Sequence, residues 1–163
     1  MARYDASTAE ILVFTFKEGL LSAVAHDLKL RVSTGTVEVE GTQVRADFDA
    51  GSLRLVAPMK DGAENPTAIP RLVYGEVEKN TAKDVLDAKR YPAITFTSSQ
   101  ITDTEVVGQL TLHGQTREVR GRRSGRTAEF SLDQRDFGIK PFSAMLGTLK
   151  VKPVITVKVT LPA

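Results

Sequence analysis

The sequence predicts an all-β fold, an antiparallel up-and-down barrel of about eight strands with one helix packed against it. Three observations carry that expectation. Short runs in which apolar and polar residues alternate recur along most of the chain, and Gly, Asp, Asn, Ser or Thr punctuate them at even spacing. Only one window, from about Tyr74 to Arg90, has helical spacing, with Val77, Thr81, Val85 and Ala88 on one stripe. No βαβ rhythm occurs, so the strands read as a meander, and closure into a barrel removes the edges of a meander. A two-sheet sandwich satisfies the same pattern.

The first strong strand is Ile11-Leu-Val-Phe-Thr-Phe16, apolar on both faces and therefore buried. Leu20 to Ala25 is a short apolar passage of undecided type. From His26 the alternation is clean, with His26, Leu28, Leu30 and Val32 opposite Asp27, Lys29, Arg31 and Ser33. Thr34-Gly35 and Gly41-Thr42 read as turns around Thr36–Glu40, and Val44, Ala46, Phe48 and Ala50 continue the pattern. Gly51-Ser52 reads as a bulge or bend. Ala57 to Pro70, with three prolines, reads as a long loop.

Glu76 and Glu78 near the start of the helical window and Lys89 and Arg90 at its end suit the helix dipole, and Tyr91-Pro92 blocks its continuation. A hairpin follows through Ile94, Phe96 and Ser98, then Val106, Gly108, Leu110 and Leu112. Next come the basic segment Thr116–Arg123 and a strand through Ala128, Phe130 and Leu132. Asp136–Ile139 breaks the alternation, Pro141 to Gly147 reads as an irregular crossover, and Val151, Ile155, Val157, Val159 and Leu161 form the last amphipathic strand.

Composition narrows the function. The length of 163 residues predicts a single domain over 1–163, large enough for a core without disulfide or metal staples. Cysteine is absent, which removes thiolate chemistry of every kind. Lys and Arg total 22 against 20 Asp and Glu, a formal charge of +2 that gives no reason to expect nucleic acid. The N-terminus lacks the apolar core of a signal peptide, so a cytoplasmic location is expected, and no run is long enough for an integral membrane span.

Three groups of residues resemble a known family. Val85-Leu-Asp-Ala-Lys-Arg-Tyr-Pro-Ala-Ile-Thr-Phe96, then Gly108-Gln-Leu-Thr-Leu-His-Gly114, and later Asp136-Phe-Gly-Ile139 look like the YceI-like domain family. Ala25-His26-Asp27 and the Ile139–Gly147 crossover resemble its leaderless branch. The resemblance implies an extended lipocalin-like barrel with a helix against it, whose lumen holds a polyisoprenoid or another lipid-like small molecule. It implies binding or carriage rather than catalysis, and no cofactor.

The apolar strand faces then become candidate ligand-binding residues: Phe14, Phe16, His26, Leu28, Leu30, Phe48, Ile94, Phe96, Leu110, Leu112, Phe130 and Leu132. The same faces suit a filled core, which would make the protein a structural or protein-interaction barrel without a lipid. His26 is either a hydrogen-bonded interior histidine or a polar handle at a barrel mouth. Because Asp27 points to the opposite face, the two make no simple dyad for a hydrolase. His113 at a strand end reads as turn-supporting or exposed, and two distant histidines are no metal site. Arg117, Arg120, Arg122, Arg123 and Arg126 read as a solvated strand edge or, alternatively, an anion-attracting patch. Pairing with a second copy of the chain is left open.

Overall fold

The alternating segments fold as strands in the computed structural model, which describes residues 1–19, 25–144 and 149–163. In chain order these are β1 (Ala2–Asp5), β2 (Glu10–Thr15), β3 (Lys17–Glu18), β4 (Asp27–Val32), β5 (Gly35–Glu40), β6 (Gln43–Asp49), β7 (Leu53–Lys60) and β8 (Ala63–Glu64). After the helix α1 (Arg71–Asn80) come β9 (Ala93–Ile101), β10 (Glu105–Leu112), β11 (Gln115–Ser124), β12 (Thr127–Asp133), β13 (Ser143–Ala144), β14 (Leu149–Val151) and β15 (Val154–Thr160). Twelve of them form one antiparallel sheet in the order β1-β5-β6-β9-β10-β11-β12-β15-β2-β4-β7-β8, and β13, β14 and β3 form a small second sheet.

A bent hairpin curls the large sheet. Only Ser33 and Thr34 separate β4 from β5, and one 3-10 turn, Ala50–Ser52, separates β6 from β7. Because β4 pairs with β7 and β5 with β6, residues 27–60 make one long hairpin, bent in the middle, whose tip lies at Gly41 with φ +60°. Its two halves belong to opposite ends of the sheet order, so the hairpin joins those ends across a central space. The count of twelve exceeds the expected eight because β7 is a separate strand past the bend and the short β1 and β8 are added at the edges.

Ser52 fastens the bend. Its side chain is buried at 3% exposure. Its hydroxyl accepts the Thr34 N–H at 3.1 Å and donates to the Asp49 carbonyl at 2.8 Å, while its own carbonyl accepts the Ser33 N–H at 2.9 Å and the Ser33 hydroxyl at 2.6 Å. The Asp49 N–H donates to the Thr34 carbonyl at 3.0 Å. Backbone groups that a regular ladder would have paired are thereby satisfied at the corner.

The bend splays the sheet on both flanks, and local segments fill the gaps. Past the corner β7 leaves β9, and the connection carrying α1 packs beside it; Glu78 Oε2 accepts the Leu55 N–H at 2.9 Å, covering an exposed edge donor of β7. On the other flank β1 pairs with β5, and Arg31 Nη2 donates to the Ala6 carbonyl at 2.8 Å.

Several expectations are corrected. Thr34-Gly35 is not a turn but the start of the bent continuation of β4. The N-terminal residues form β1. The expected loop from Ala57 to Pro70 is shortened, since β7 runs to Lys60 and turns into β8. Pro58 sits inside β7 opposite Leu28, next to a register shift, which is where a ladder tolerates a residue lacking an N–H. The helix starts at Arg71 and becomes a π-helical turn over Thr81–Val85, where the Thr81 hydroxyl bonds back to the Val77 carbonyl at 2.8 Å. Of the undecided Leu20 to Ala25 passage, residues 20–24 lie outside the described residues. So do residues 145–147 of the Pro141 to Gly147 crossover, while Ser143–Ala144 is a strand paired with β14.

Replacing Ser52 by Ala removes the partner of the Thr34 N–H at a part-buried corner, so stability should fall by about 0.5–1.5 kcal/mol. Urea denaturation should show a lower midpoint with an unchanged slope.

Candidate functional site: an apolar cavity inside the curled sheet

Strands curled around a common axis turn one side-chain face of each inward. That face encloses a cavity of about 1050 Å³, walled by β2, β4–β7, β9–β12 and β15 and, on one flank, by Val77 and Val85 of the helical connection. It runs from the hairpin ends near Thr42 and Gly125 to the small sheet near Lys17 and Ala144.

Ten of the twelve predicted residues line it: His26, Leu28, Leu30, Phe48, Ile94, Phe96, Leu110, Leu112, Phe130 and Leu132. Phe14 and Phe16 do not. β2 presents Ile11, Val13 and Thr15 instead, and Phe14 pairs in register with Lys29 and Thr156 on the other face. Both faces of residues 11–16 are apolar, so alternation within that strand does not specify which one faces inward. The wall also includes Val37 and Val39 of β5 and Ile155, Val157 and Val159 of β15. The amphipathic pattern of the last strand was a sufficient signal for the latter three.

Three inward phenylalanines lie against glycines of the neighbouring strand. A Cβ at Gly35 would come within 2.6 Å of the Phe48 ring, and one at Gly121 within 2.7 Å of the Phe130 ring; at Gly108 it would collide with the Phe96 ring. Gly35 and Gly121 face their phenylalanines directly, while Phe96 reaches Gly108 diagonally. Phe96 and Phe130 meet edge to face at 6.0 Å. The missing Cβ atoms let the rings settle onto the wall rather than stand out from it.

The aromatic and turn residues of the motifs occupy a different place. Tyr91 packs on His113 with ring centroids 4.5 Å apart, and Gly114, at φ +73°, brings backbone so near the Tyr91 ring that a Cβ would lie 2.7 Å from it. His113 Nδ1 lies 3.2 Å from the Phe137 carbonyl oxygen, and Phe137 is buried. Of these residues none lines the cavity. His113 supports a turn, as expected.

Cationic side chains sit at the cavity's ends. Lys17 and Lys150 stand at one, with the exposed His26, and Arg123 and Arg126 at the other. The basic segment is a strand edge only in part: β11 pairs with β12 over Gly121–Ser124, whereas Thr116–Arg120 pairs with β10 alone. Its charges divide: Arg120 pairs with Glu105 at 2.5 Å and Arg122 with Glu129 at 3.7 Å, whereas Arg123 Nη1 and Arg126 Nη1 donate to the carbonyls of Thr102 and Pro162. Among the described residues, no group of three His, Cys, Asp or Glu is placed to hold a metal ion. No described helix is long and apolar enough to cross a membrane.

Comparison with known proteins agrees with this architecture. A YceI-like domain model matches residues 4–163. The chain belongs to the YceI-like domain family. It is 35% identical over 96 residues to a UPF0312 protein of Pseudomonas putida strain W619, covering 47% of this chain and 50% of that protein. A UPF0312 protein of Vibrio cholerae strain M66-2 is 35% identical over 80 residues, 37% of this chain and 42% of the relative. The matches thus span about half the length of these curated relatives or less. The crystal structure of BcnA from Burkholderia cenocepacia superposes with a TM-score of 0.54 at 16% identity, covering 94% of each chain, so this YceI-like chain shares its fold.

Substituting Val for Gly121 should push the Phe130 ring off the wall and destabilise the protein by about 1–3 kcal/mol through overpacking. The same variant should take up less of an apolar fluorescent probe. Gly75→Ala, where a Cβ meets nothing within 4 Å, should instead raise stability by about 0.5–1 kcal/mol in the same denaturation experiment and leave probe uptake unchanged.

Proposed function

We propose that this YceI-like chain, acting as one domain over residues 1–163, binds and carries an apolar or amphiphilic small molecule of isoprenoid type in its cavity without reacting with it. The observation that carries the reading is the cavity itself. At about 1050 Å³ it lies at the upper end of the roughly 300–1,000 Å³ of small-molecule pockets, and its walls between the two charged ends are almost wholly aliphatic and aromatic. Such walls favour a chain-like apolar ligand at roughly 25 cal/mol per Å² removed from water. An isoprenoid is the ligand that the family resemblance implies, and its branched chain is compatible with Leu, Val and Phe walls. A cavity of this size weighs against the filled-core alternative.

The hydrolase reading of His26 has less support. Asp27 Oδ1 accepts the Lys17 N–H at 2.8 Å, and no carboxylate lines the cavity beside the imidazole among the described residues. The ten inward residues of the predicted set, from His26 to Leu132, are proposed as ligand contacts.

Organic extraction of the purified protein followed by mass spectrometry should release a long-chain lipid, and refolded, lipid-free protein should bind a polyisoprenoid. Val157→Phe, which adds bulk at the middle of the β15 wall, should weaken that binding about tenfold or more while the protein stays folded. Absence of any extracted lipid, together with identical binding by wild type and Val157→Phe, would refute the carrier reading.

A further inference from the structure

The cavity is charged with one sign only. Four of its lining residues carry a full charge, Lys17, Lys150, Arg123 and Arg126, and every one is cationic; no Asp or Glu lines it among the described residues. The chain as a whole is nearly balanced, with 20 acidic residues against 22 basic. Acidic side chains are therefore placed outside the cavity, although strand alternation gives them equal access to both faces.

The two ends differ in what their cations already do. Arg123 gives Nε to the Gly125 carbonyl at 3.1 Å and Nη1 to the Thr102 carbonyl at 3.0 Å, and Arg126 gives Nη1 to the Pro162 carbonyl at 2.8 Å. These arginines tie hairpin ends together. At the opposite end Lys150 Nζ faces Glu18 Oε1 at 3.7 Å. Lys17 Nζ forms no ion pair among the described residues, and the nearby Asp27 directs Oδ1 to the Lys17 backbone N–H.

Two residues before Lys17, at the end of β2, stands Thr15, and both residues line the cavity. Its hydroxyl is buried, lines the same end of the cavity and has no hydrogen-bond partner among the described residues. A buried hydroxyl left unpaired is costly, and the ammonium of a part-exposed lysine with no ion-pair partner among the described residues attracts an anion. Both groups donate hydrogen bonds, and a lipid with an oxyanion at one end satisfies both at once.

We propose that Thr15 and Lys17 form a head-group site for an oxyanion, carboxylate or phosphate, carried on the end of the apolar ligand. The inference rests on the carrier reading and deepens it: the chain lies along the apolar wall, and the anionic end lies against Thr15 and Lys17, not against the arginines.

The test is calorimetric titration of lipid-free protein with two matched pairs, geranylgeranyl phosphate against geranylgeraniol and palmitate against hexadecanol. The anionic member of at least one pair should bind about tenfold or more tighter than its alcohol, and the pair showing the larger ratio tells phosphate from carboxylate. Raising salt should shrink that ratio. Lys17→Met and the near-isosteric Thr15→Val should each reduce it to about threefold or less while leaving alcohol binding unchanged, and Arg123→Gln should leave it intact. Alcohols that bind as tightly as their anionic partners overturn the head-group site but not the carrier reading. So does a preference abolished by Arg123→Gln and kept in Lys17→Met. If no member of either pair binds, the carrier reading falls and the head-group site with it.

Discussion

The corner at Ser52 is the constraint on which the rest of the molecule depends. A flat sheet of twelve strands has two long edges and no interior. One hairpin, bent at Ser33-Thr34 and at Ala50–Ser52, belongs to both ends of the sheet and so pulls the whole surface around an axis. The bend breaks ladder pairing at a buried position, and the Ser52 hydroxyl and carbonyl replace what is lost. It also dictates the accessory elements. β1 and the helical connection lie where they do because the strands part on either side of the corner, and Glu78 covers a β7 donor that the parting leaves without a strand partner.

Curling alone does not keep an interior open, since inward side chains can fill a small barrel. Here the bulk of three phenylalanines is absorbed by the wall, because Gly35, Gly108 and Gly121 provide the depth in which Phe48, Phe96 and Phe130 lie. Much of the remaining lining is valine, isoleucine and leucine, short side chains that cover backbone without reaching the axis. The same composition that reads as a hydrophobic core therefore leaves a cavity, and the difference is made by where the glycines stand opposite the rings.

That difference marks how far the sequence can be read. Strand identity, the hairpin tips and the inward faces of β4, β6, β9, β10 and β12 follow from alternation, since each has one polar face. β2 has none, and Phe14 and Phe16 fell on the wrong side for that reason. The Thr34-Gly35 pair carries turn residues yet continues a bent strand, because the pairing that decides it lies with Asp49 and Ser52, many residues away. β1 is four residues long and held by β5, a tertiary contact with no local pattern to announce it. Pro58 read as a loop residue because the register shift that accommodates it is visible only in the paired strands.

The family motifs serve two places: their apolar strand residues, Ile94, Phe96, Leu110 and Leu112, line the cavity, while their aromatic and turn residues lie outside it. Tyr91, His113, Gly114 and Phe137 form a packed knot outside the cavity, where one ring needs a glycine beneath it and one carbonyl needs an imidazole near it. Those are exact steric demands, which few residue types meet. An apolar wall demands only apolar side chains of suitable size, and many combinations satisfy that. The aromatic and turn residues of the motifs accordingly specify the fold, and the apolar walls leave much freedom in sequence. On the carrier reading, discrimination between ligands falls to the few polar groups at the cavity's ends, where an unpaired hydroxyl or a cation has a definite chemistry and sign.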